Sequence, residues 1–545
     1  MATKNIRAAL VADTGLGAGN VLPRLIEHGA DPDGPGLTFD VDVDGHPAWQ
    51  DLTLGGLHER VLARAAWLHR RGVRPRDLVA VHVTSSADLF LSFLALSWLG
   101  AVPAFMNPHL PPDVAAEYLR RLRGTGLLTD TPHREQLTGH DLGMPILGDV
   151  AELGGADPAG APRPHRHHPG DPIAVTHSSG TTRMPTAVVH SHGTLFAATR
   201  RIRLSVPVAQ GTQRVLSALP AAHAAGIGAM NQALCNRAEL LWLSRQDQGA
   251  VVLDAIERWR PNGVFGFAVT WAELARFDLS RYDLDSVALW FNTGDCAHEP
   301  HIRRLVAVGS REVVTRDGVT RVPGSSFIDG LGSTEMGHSA FYITHRSDTE
   351  RYGRCVGKPH VFADVALLDP ATGAEVPVGQ VGHLGLRSPT VAVGYWNNHA
   401  EWYRHWSASR YLTGDLMYRD EDGYYYHVDR AVDAVDLGGG DWLYTAMCEE
   451  AILARCPDIR DATVVAAATA GGVATDVLLQ LRADADPAAD RTAQVRAALP
   501  VPVARTLRKV VVVTDDEIIF GPTGKVRKFL MRQRHLAAAS AGAAA

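Results

Sequence analysis

Thr176-His177-Ser178-Ser179-Gly180-Thr181-Thr182-Arg183-Met184-Pro185-Thr186-Ala187 is a hydroxyl- and glycine-rich stretch that follows an apolar run at Ile173-Ala174-Val175. A loop of this composition can wrap a polyphosphate with backbone N–H groups and side-chain hydroxyls, and a strand leading into it is mechanically apt. Far downstream, Thr523-Gly524-Lys525 offers a cation that can neutralise a reacting phosphate. Lysine is scarce, being only Lys4, Lys358, Lys509, Lys525 and Lys528, so a lysine directly after Thr-Gly stands out from an arginine background. Together the two segments predict chemistry on ATP.

Working outward, 545 residues exceed one ordinary hydrophobic core, so at least two domains are expected, and 46% apolar with 21% charged residues reads as soluble and globular. A formal charge of -6 without a basic block argues against nucleic acid as principal partner. The odd, scattered cysteines Cys235, Cys296, Cys355, Cys448 and Cys456 lack a paired metal spacing and predict reduced, buried thiols in a cytoplasmic protein. Met1 to Leu10 has no long apolar core, so no secretory signal is expected. Asp88 to Leu99 is apolar almost all round but shorter than the ~20 residues that span a bilayer. It predicts a buried helix and no membrane span.

Leu57, Val61, Leu62, Ala65 and Leu68 recur at helical spacing, Gly72 breaks the pattern, and Leu78 to Val83 reads as extended. With the helix at Asp88 to Leu99, this is an α/β rhythm. Asp157 to Gly170, rich in proline, glycine and histidine, predicts a surface connector in which His165, His167 and His168 are solvated rather than metal ligands. After Arg430 the pattern predicts a helix at Ala446 to Arg455, short strands at Asp461 to Ala466, Val477 to Arg482 and Lys509 to Val513, and a helix from Lys525 onward. That is a compact module of its own, so the expected division is 1–430 and 431–545, with a frayed alanine-rich end at Ala537 to Ala545.

Five segments, taken in order, resemble the adenylate-forming superfamily of acyl- and aryl-CoA synthetases, peptide-synthetase adenylation domains and luciferases. The first is the phosphate loop, in which Ser178, Ser179, Gly180, Thr181 and Thr182 keep the family's pattern. Arg183, Thr186 and Ala187 replace its second glycine, lysine and final glycine. Arg183 either restores the lost charge or covers the loop edge. The second, Pro220-Ala221-Ala222-His223-Ala224-Ala225-Gly226, is similar to the family's Pro-x-x-His-x-x-Gly segment, whose histidine lines the acid site. In the third, Asp329-Gly330-Leu331-Gly332-Ser333-Thr334-Glu335, the resemblance gives Thr334 a phosphate contact and makes Glu335 the magnesium ligand. Leu331 stands where the family has an adenine-stacking aromatic, so an apolar contact is expected to serve instead. In the fourth, Thr413-Gly414-Asp415 with Asp429-Arg430, Asp415 is expected to accept both ribose hydroxyls and Arg430 to reach ribose or phosphate oxygens. The fifth, Gly521 to Lys528, resembles the family's mobile lysine loop, with Lys525 bridging carboxylate and α-phosphate.

The resemblance implies an α/β fold: a large N-terminal adenylation domain of several α/β subdomains and a small mobile α/β C-terminal domain carrying the lysine. ATP and Mg2+ are the implied cofactors, with AMP as bound product. Lys525, Thr334, Glu335 and His223 are the implied catalytic residues, and Gly332 and Ser333 line the nucleotide site. Behind the hinge the chain departs: Val432, Ala446 and Cys448 replace the family's polar hinge residue, its proline and a glutamate. Adenylation residues are thus kept better than those of thioester formation. This points to a small oxyacid, nitrite, passed to an arylamine, as in the family's ATP-dependent diazotases, with which Tyr424-Tyr425-Tyr426-His427 also looks similar. An ordinary aryl- or acyl-CoA ligase, with CoA as acceptor, and a catalytically silent nucleotide-binding homologue are the alternatives.

Overall fold

The computed structural model describes residues 5–178, 184–204, 213–316, 318–469, 472–521 and 526–534. Its N-terminal part holds a seven-stranded sheet in which Val102–Phe105, Leu78–His82, Gly126–Thr129 and Ile146–Asp149 run parallel, and Pro172–His177 joins the parallel set beside Val102–Phe105. Strands of such a sheet are covered on both faces, so Leu78–His82 is buried at every position without polar alternation.

The expected helices fall where the apolar periodicity put them, at Leu54–Arg70 and Ser86–Leu99. Thirteen of the fourteen residues of the second are buried. Ser85 caps its start by accepting from the Asp88 N–H at 3.3 Å, and Gly100, at φ 75°, ends it in a left-handed turn. Between these helices the fully buried Arg64 bonds Asp44 and Asp88 at 2.8 and 2.6 Å. A buried guanidinium is tolerated only with such partners.

A second, longer sheet carries the site. Arg214–Ser217, Glu239–Trp242, Gly263–Phe267, Leu289–Thr293 and Ser326–Asp329 form its parallel part. It continues through antiparallel Phe341–His345, Cys355–Pro359, Tyr425–Arg430 and Arg410–Arg419. The last part forms a small lobe with its own apolar cluster around Ile452, Val464, Val477 and Val495. There, Ile459–Thr469 pairs antiparallel with Gly472–Leu481, Leu507–Val512 adds a parallel strand, and the helix Thr445–Arg455 packs on them. Residues 528–534 are helical, as expected of the stretch after Lys525.

The histidine connector differs from the expectation of solvated side chains. His168 is exposed, but His165 and His167 are half-buried against the end of the helix Ser86–Leu99, where the His167 Nε2 lies 2.9 Å from the Ser97 carbonyl and its ring stacks on His192 at 4.9 Å. The rings pack against that helix end because Gly100 leaves room there: a Cβ at Gly100 would lie 2.4 Å from His165. All five cysteines are free and buried. Among the described residues no helix is long and apolar enough to cross a membrane.

Candidate active site

Parallel strands deliver their loops to one edge of a sheet, and ligands bind there, outside the carboxyl ends. A cavity of about 60 Å³ opens at that edge, walled by Phe265, Phe291, Gly294, Gly332, Ser333 and His223. His223 is the N-cap of the helix Ala224–Asn236, its Nδ1 accepting from the Ala225 N–H at 3.1 Å. That bond leaves Nε2 as the protonated nitrogen, and it donates to Thr334 Oγ1 at 3.1 Å. Phe267 meets the imidazole edge-on at 5.0 Å and fixes its plane. The second and third sequence segments, 111 residues apart, thus join in one hydrogen bond.

Gly332 is held by its N–H on the Gly294 carbonyl at 2.9 Å, and a Cβ there would stand 3.0 Å from Ser339 Cα, so only glycine lets the two loops approach. Ser333 lines the cavity while its Oγ accepts from the Met336 N–H at 3.3 Å. Glu335 is only partly buried; its Oε1 accepts from Tyr395 OH at 3.3 Å, and Tyr395 is 3.4 Å from Tyr411 OH. Burial and the charge of Glu335 push both phenols well above their ordinary range, so both stay protonated: Tyr395 spends its hydrogen on Glu335 and accepts from Tyr411. Leu331 departs from its expected nucleotide contact: it is 2% exposed and packs in the core with Met336 and Phe341. The turn that leaves room at Gly332 sends the side chain before it inward.

Asp415 and Arg430 lie opposite each other across the pair Arg410–Arg419 and Tyr425–Arg430. Arg430 Nη1 donates to Asp415 Oδ1 at 3.1 Å, and His427 Nε2 donates to the same oxygen at 3.3 Å. Burial alone would raise the carboxyl; the Arg430 charge and the His427 bond outweigh it and hold it at about 2. Asp415 is therefore an ionised acceptor over the whole working range, with capacity left on a carboxylate for further donors. His427 is set in that tautomer by Arg354, whose Nη2 donates to Nδ1 at 2.7 Å. Arg354 itself sits at φ 63° with its guanidinium buried.

Ser178 ends the strand Pro172–His177, its N–H bonded to the Thr186 carbonyl at 3.0 Å. Two backbone bonds, Val393 to Val189 and Ala392 to Glu335, tie that sheet to the Thr334-Glu335 turn. Ser179, Gly180, Thr181, Thr182, Arg183 and Lys525 lie outside the described residues.

Sequence reasoning missed Arg354, which belongs to no motif and carries no signal short of the fold. It also missed Tyr395 and Tyr411, which serve Glu335 from behind. His427 was quoted only within a tyrosine cluster. The tyrosines of that cluster do other work: Tyr424 receives Arg351 and Lys358 over its ring at 4.0 and 4.5 Å, and Tyr426 OH bonds Asp420 at 3.0 Å.

Three comparisons place this arrangement among known proteins. The AMP-binding enzyme family pattern matches residues 31–396. The chain is 43% identical to a 3-aminoavenalumate diazotase of Streptomyces sp, over 97% of this chain and 98% of that one. It is 28% identical to a 3-amino-2-hydroxy-4-methoxybenzoate diazotase of Streptomyces cremeus, over 76% and 78%. Among solved structures, the anthranilate CoA ligase AuaEII in complex with anthranoyl-AMP superposes with a TM-score of 0.82 at 21% identity, covering 96% of this chain and 98% of that one.

Proposed function

Because the chain belongs to the AMP-binding, adenylate-forming enzymes, a family of AMP-forming ATP-dependent ligases, we propose that it is a diazotase that activates nitrite as its anhydride with AMP and transfers it to an arylamine. The observation that carries this reading is the near full-length likeness to the Streptomyces diazotase. The residues described above suit the nucleotide. Asp415, kept ionised beside Arg430, is a receptor for ribose hydroxyls, and the partly buried Glu335, steadied by Tyr395, is a hard oxygen donor of the type magnesium takes. When bound, magnesium would neutralise phosphate charge. Ser178 through Thr182 and Arg183 would cradle the phosphates, and His223 with Thr334 would order the small acid at the mouth of the cavity.

In the first half-reaction a nitrite oxygen attacks the α-phosphorus, the bond to the bridging oxygen breaks, and pyrophosphate leaves. In the second, the amine nitrogen attacks the nitroso nitrogen, AMP departs with the electron pair of the broken N–O bond, and one amine proton is released. The resulting N-nitrosamine tautomerises, takes up a proton and loses water to give the diazonium. The chain's task in the first step is to hold cations where negative charge gathers, which is the role given to Lys525 in a mobile domain starting at residue 431.

The test is purified protein with ATP, magnesium, nitrite and an arylamine, with and without CoA. Pyrophosphate, AMP and diazonium that depend on both nitrite and amine are the expected result. A CoA adduct of an aromatic acid would move the assignment to the thioester-forming ligases, which the likeness to the anthranilate enzyme makes the second reading. Lys525→Ala is expected to lower nitrite-dependent pyrophosphate release by about 100-fold, the scale of losing one charge-stabilising donor. Unchanged release would remove that lysine from the first step.

A further inference from the structure

Beyond the cavity at His223 lies a second one, of about 220 Å³, that shares Phe291, His338 and Ser339 with it. Its wall includes Arg203, at the end of a π-helical turn Thr199–Leu204. The backbone of that turn is pinned from outside, Arg7 donating to the carbonyls of Arg203 and Leu204. The side chain is not: Arg203 Nε is buried and has no hydrogen-bond partner, and among the described residues no carboxylate lies within ion-pair distance of the guanidinium. The fully buried guanidinium of Arg64, by contrast, is met by Asp44 and Asp88, and that of Arg354 by the His427 imidazole. A cation so placed costs free energy until an anion arrives.

The groups around it favour an aromatic anion. His338 and His360 meet edge to face at 5.7 Å. Burial, then the neighbouring imidazole and the Arg203 charge, hold His360 neutral at about 3, and burial also lowers His338. Neither can compete with the guanidinium for negative charge, and neither repels it. Tyr342 and His360 stack at 4.5 Å, and Phe341 closes the floor, so flat apolar surface surrounds the one charge. A carboxylate is planar and takes a guanidinium fork in two parallel bonds.

We propose that this cavity receives the amine substrate, and that the substrate is an aromatic amine carrying a carboxylate at the far end of its ring system. Arg203 binds the carboxylate, the aromatic wall flanks the ring, and the amino group points through the shared wall toward the mixed anhydride beside His223 and Thr334. The proposal rests on the diazotase reading and names its substrate class. The two relatives are named for substrates that each combine an amino group with a carboxylate.

The experiment pairs 3-aminobenzoate and 3-aminocinnamate with their methyl esters. On the native enzyme the acids are expected to have KM values roughly 10- to 100-fold below their esters, the worth of hydrogen bonds to a buried charge. Arg203→Met is expected to abolish that preference by raising the KM of the acids alone, while nitrite-dependent ATP–pyrophosphate exchange, which needs no amine, stays within twofold. Arg203→Lys, which keeps charge without the fork, is expected to fall between. Equal KM values for acid and ester on the native protein, or an acid preference surviving in Arg203→Met, would overturn the site. If nitrite supports no exchange at all, the diazotase reading fails, and calorimetric titration of the acids into native and Arg203→Met protein still decides the site: binding lost in the variant supports it, and equal binding overturns it.

Discussion

Asp415 shows how much a single carboxylate depends on its neighbours. Its ordinary carboxyl would suffer from burial, yet Arg430 and His427 hold it at about 2. A depressed value means that its contribution to stability is complete above the unfolded carboxyl value of ~3.9 and is lost only as pH falls through about 2. The ribose recognition proposed for this group is therefore expected to be independent of pH across any assay range. Asp415→Asn keeps the shape and removes the charge. It is expected to weaken ATP binding by 10-fold or more, measured by calorimetry, with little change in the affinity for the arylamine; unchanged ATP affinity would contradict the ribose role. The resemblance of Thr413-Gly414-Asp415 and Asp429-Arg430 to the family's segment drew attention to this pair, which the sheet sets opposite each other; its ribose role is the proposal that this variant tests. Arg354 was not legible in the sequence, because its partner His427 is 73 residues away and only the folded sheet brings them together. Leu331 was read in the right place with the wrong direction, since a turn decides side-chain aim and a motif does not.

The helix Thr445–Arg455 illustrates the same point one level up. Its period was legible, but its start is capped from elsewhere: Tyr444 offers no side-chain bond, and Asp429, at the end of the preceding strand, accepts from Thr445 Oγ1 at 3.0 Å and from the Thr445 and Ala446 N–H groups. Lys528 completes the assembly, with Nζ 2.8 Å from Thr445 Oγ1 and bonded to the buried Glu449. Two lysines three positions apart thus have separate duties, Lys528 in structure and Lys525 in the proposed chemistry. Lys528→Ala strands a buried carboxylate and is expected to destabilise the small lobe by about 3–5 kcal/mol. The measurement is chemical denaturation followed by small-lobe tryptophan Trp442; a loss under 1 kcal/mol (roughly 1 kcal/mol being a surface pair) would show the pair to be incidental. The π-helical turn at Thr199–Leu204 had no sequence signature, and its last carbonyls are met by Arg7, far up the chain.

At the scale of the molecule, the two lobes meet through a short list of polar contacts. His298 of the large lobe pairs with Glu450 of the small one at 2.6 Å, and Arg276 reaches Asp515 at 2.8 Å. Burial would lower His298, but Glu450 outweighs it and raises the imidazole above its ordinary value, while His298 holds Glu450 below its own. The stability held in the raised imidazole is complete below ~6.5 and is lost as pH climbs through the raised value; the share held in the lowered carboxyl is lost only in acid. The lobes are thus expected to loosen on the alkaline side. Limited proteolysis of the connection at 431–434 between pH 6 and 9 is expected to quicken with pH in the native protein and to stay flat in His298→Gln; coincident profiles would remove the pair from lobe docking. The two-lobed plan was legible from the change of pattern after Arg430. The docking pairs were not, since His298 and Glu450 stand 152 positions apart and only the folded chain brings them together.

One last trait acquires meaning from the proposed reagent. Nitrosating species and diazonium ions attack thiolates, and this chain carries five cysteine thiols that could be fouled. Each is shut inside, from Cys456 at 0% to Cys235 and Cys296 at 3% exposure, and burial pushes Cys235 and Cys448 up to about 12. Neither access nor ionisation is on offer, so a catalyst that works amid its own corrosive product is armoured against it by nothing more than where its sulfhydryls are kept.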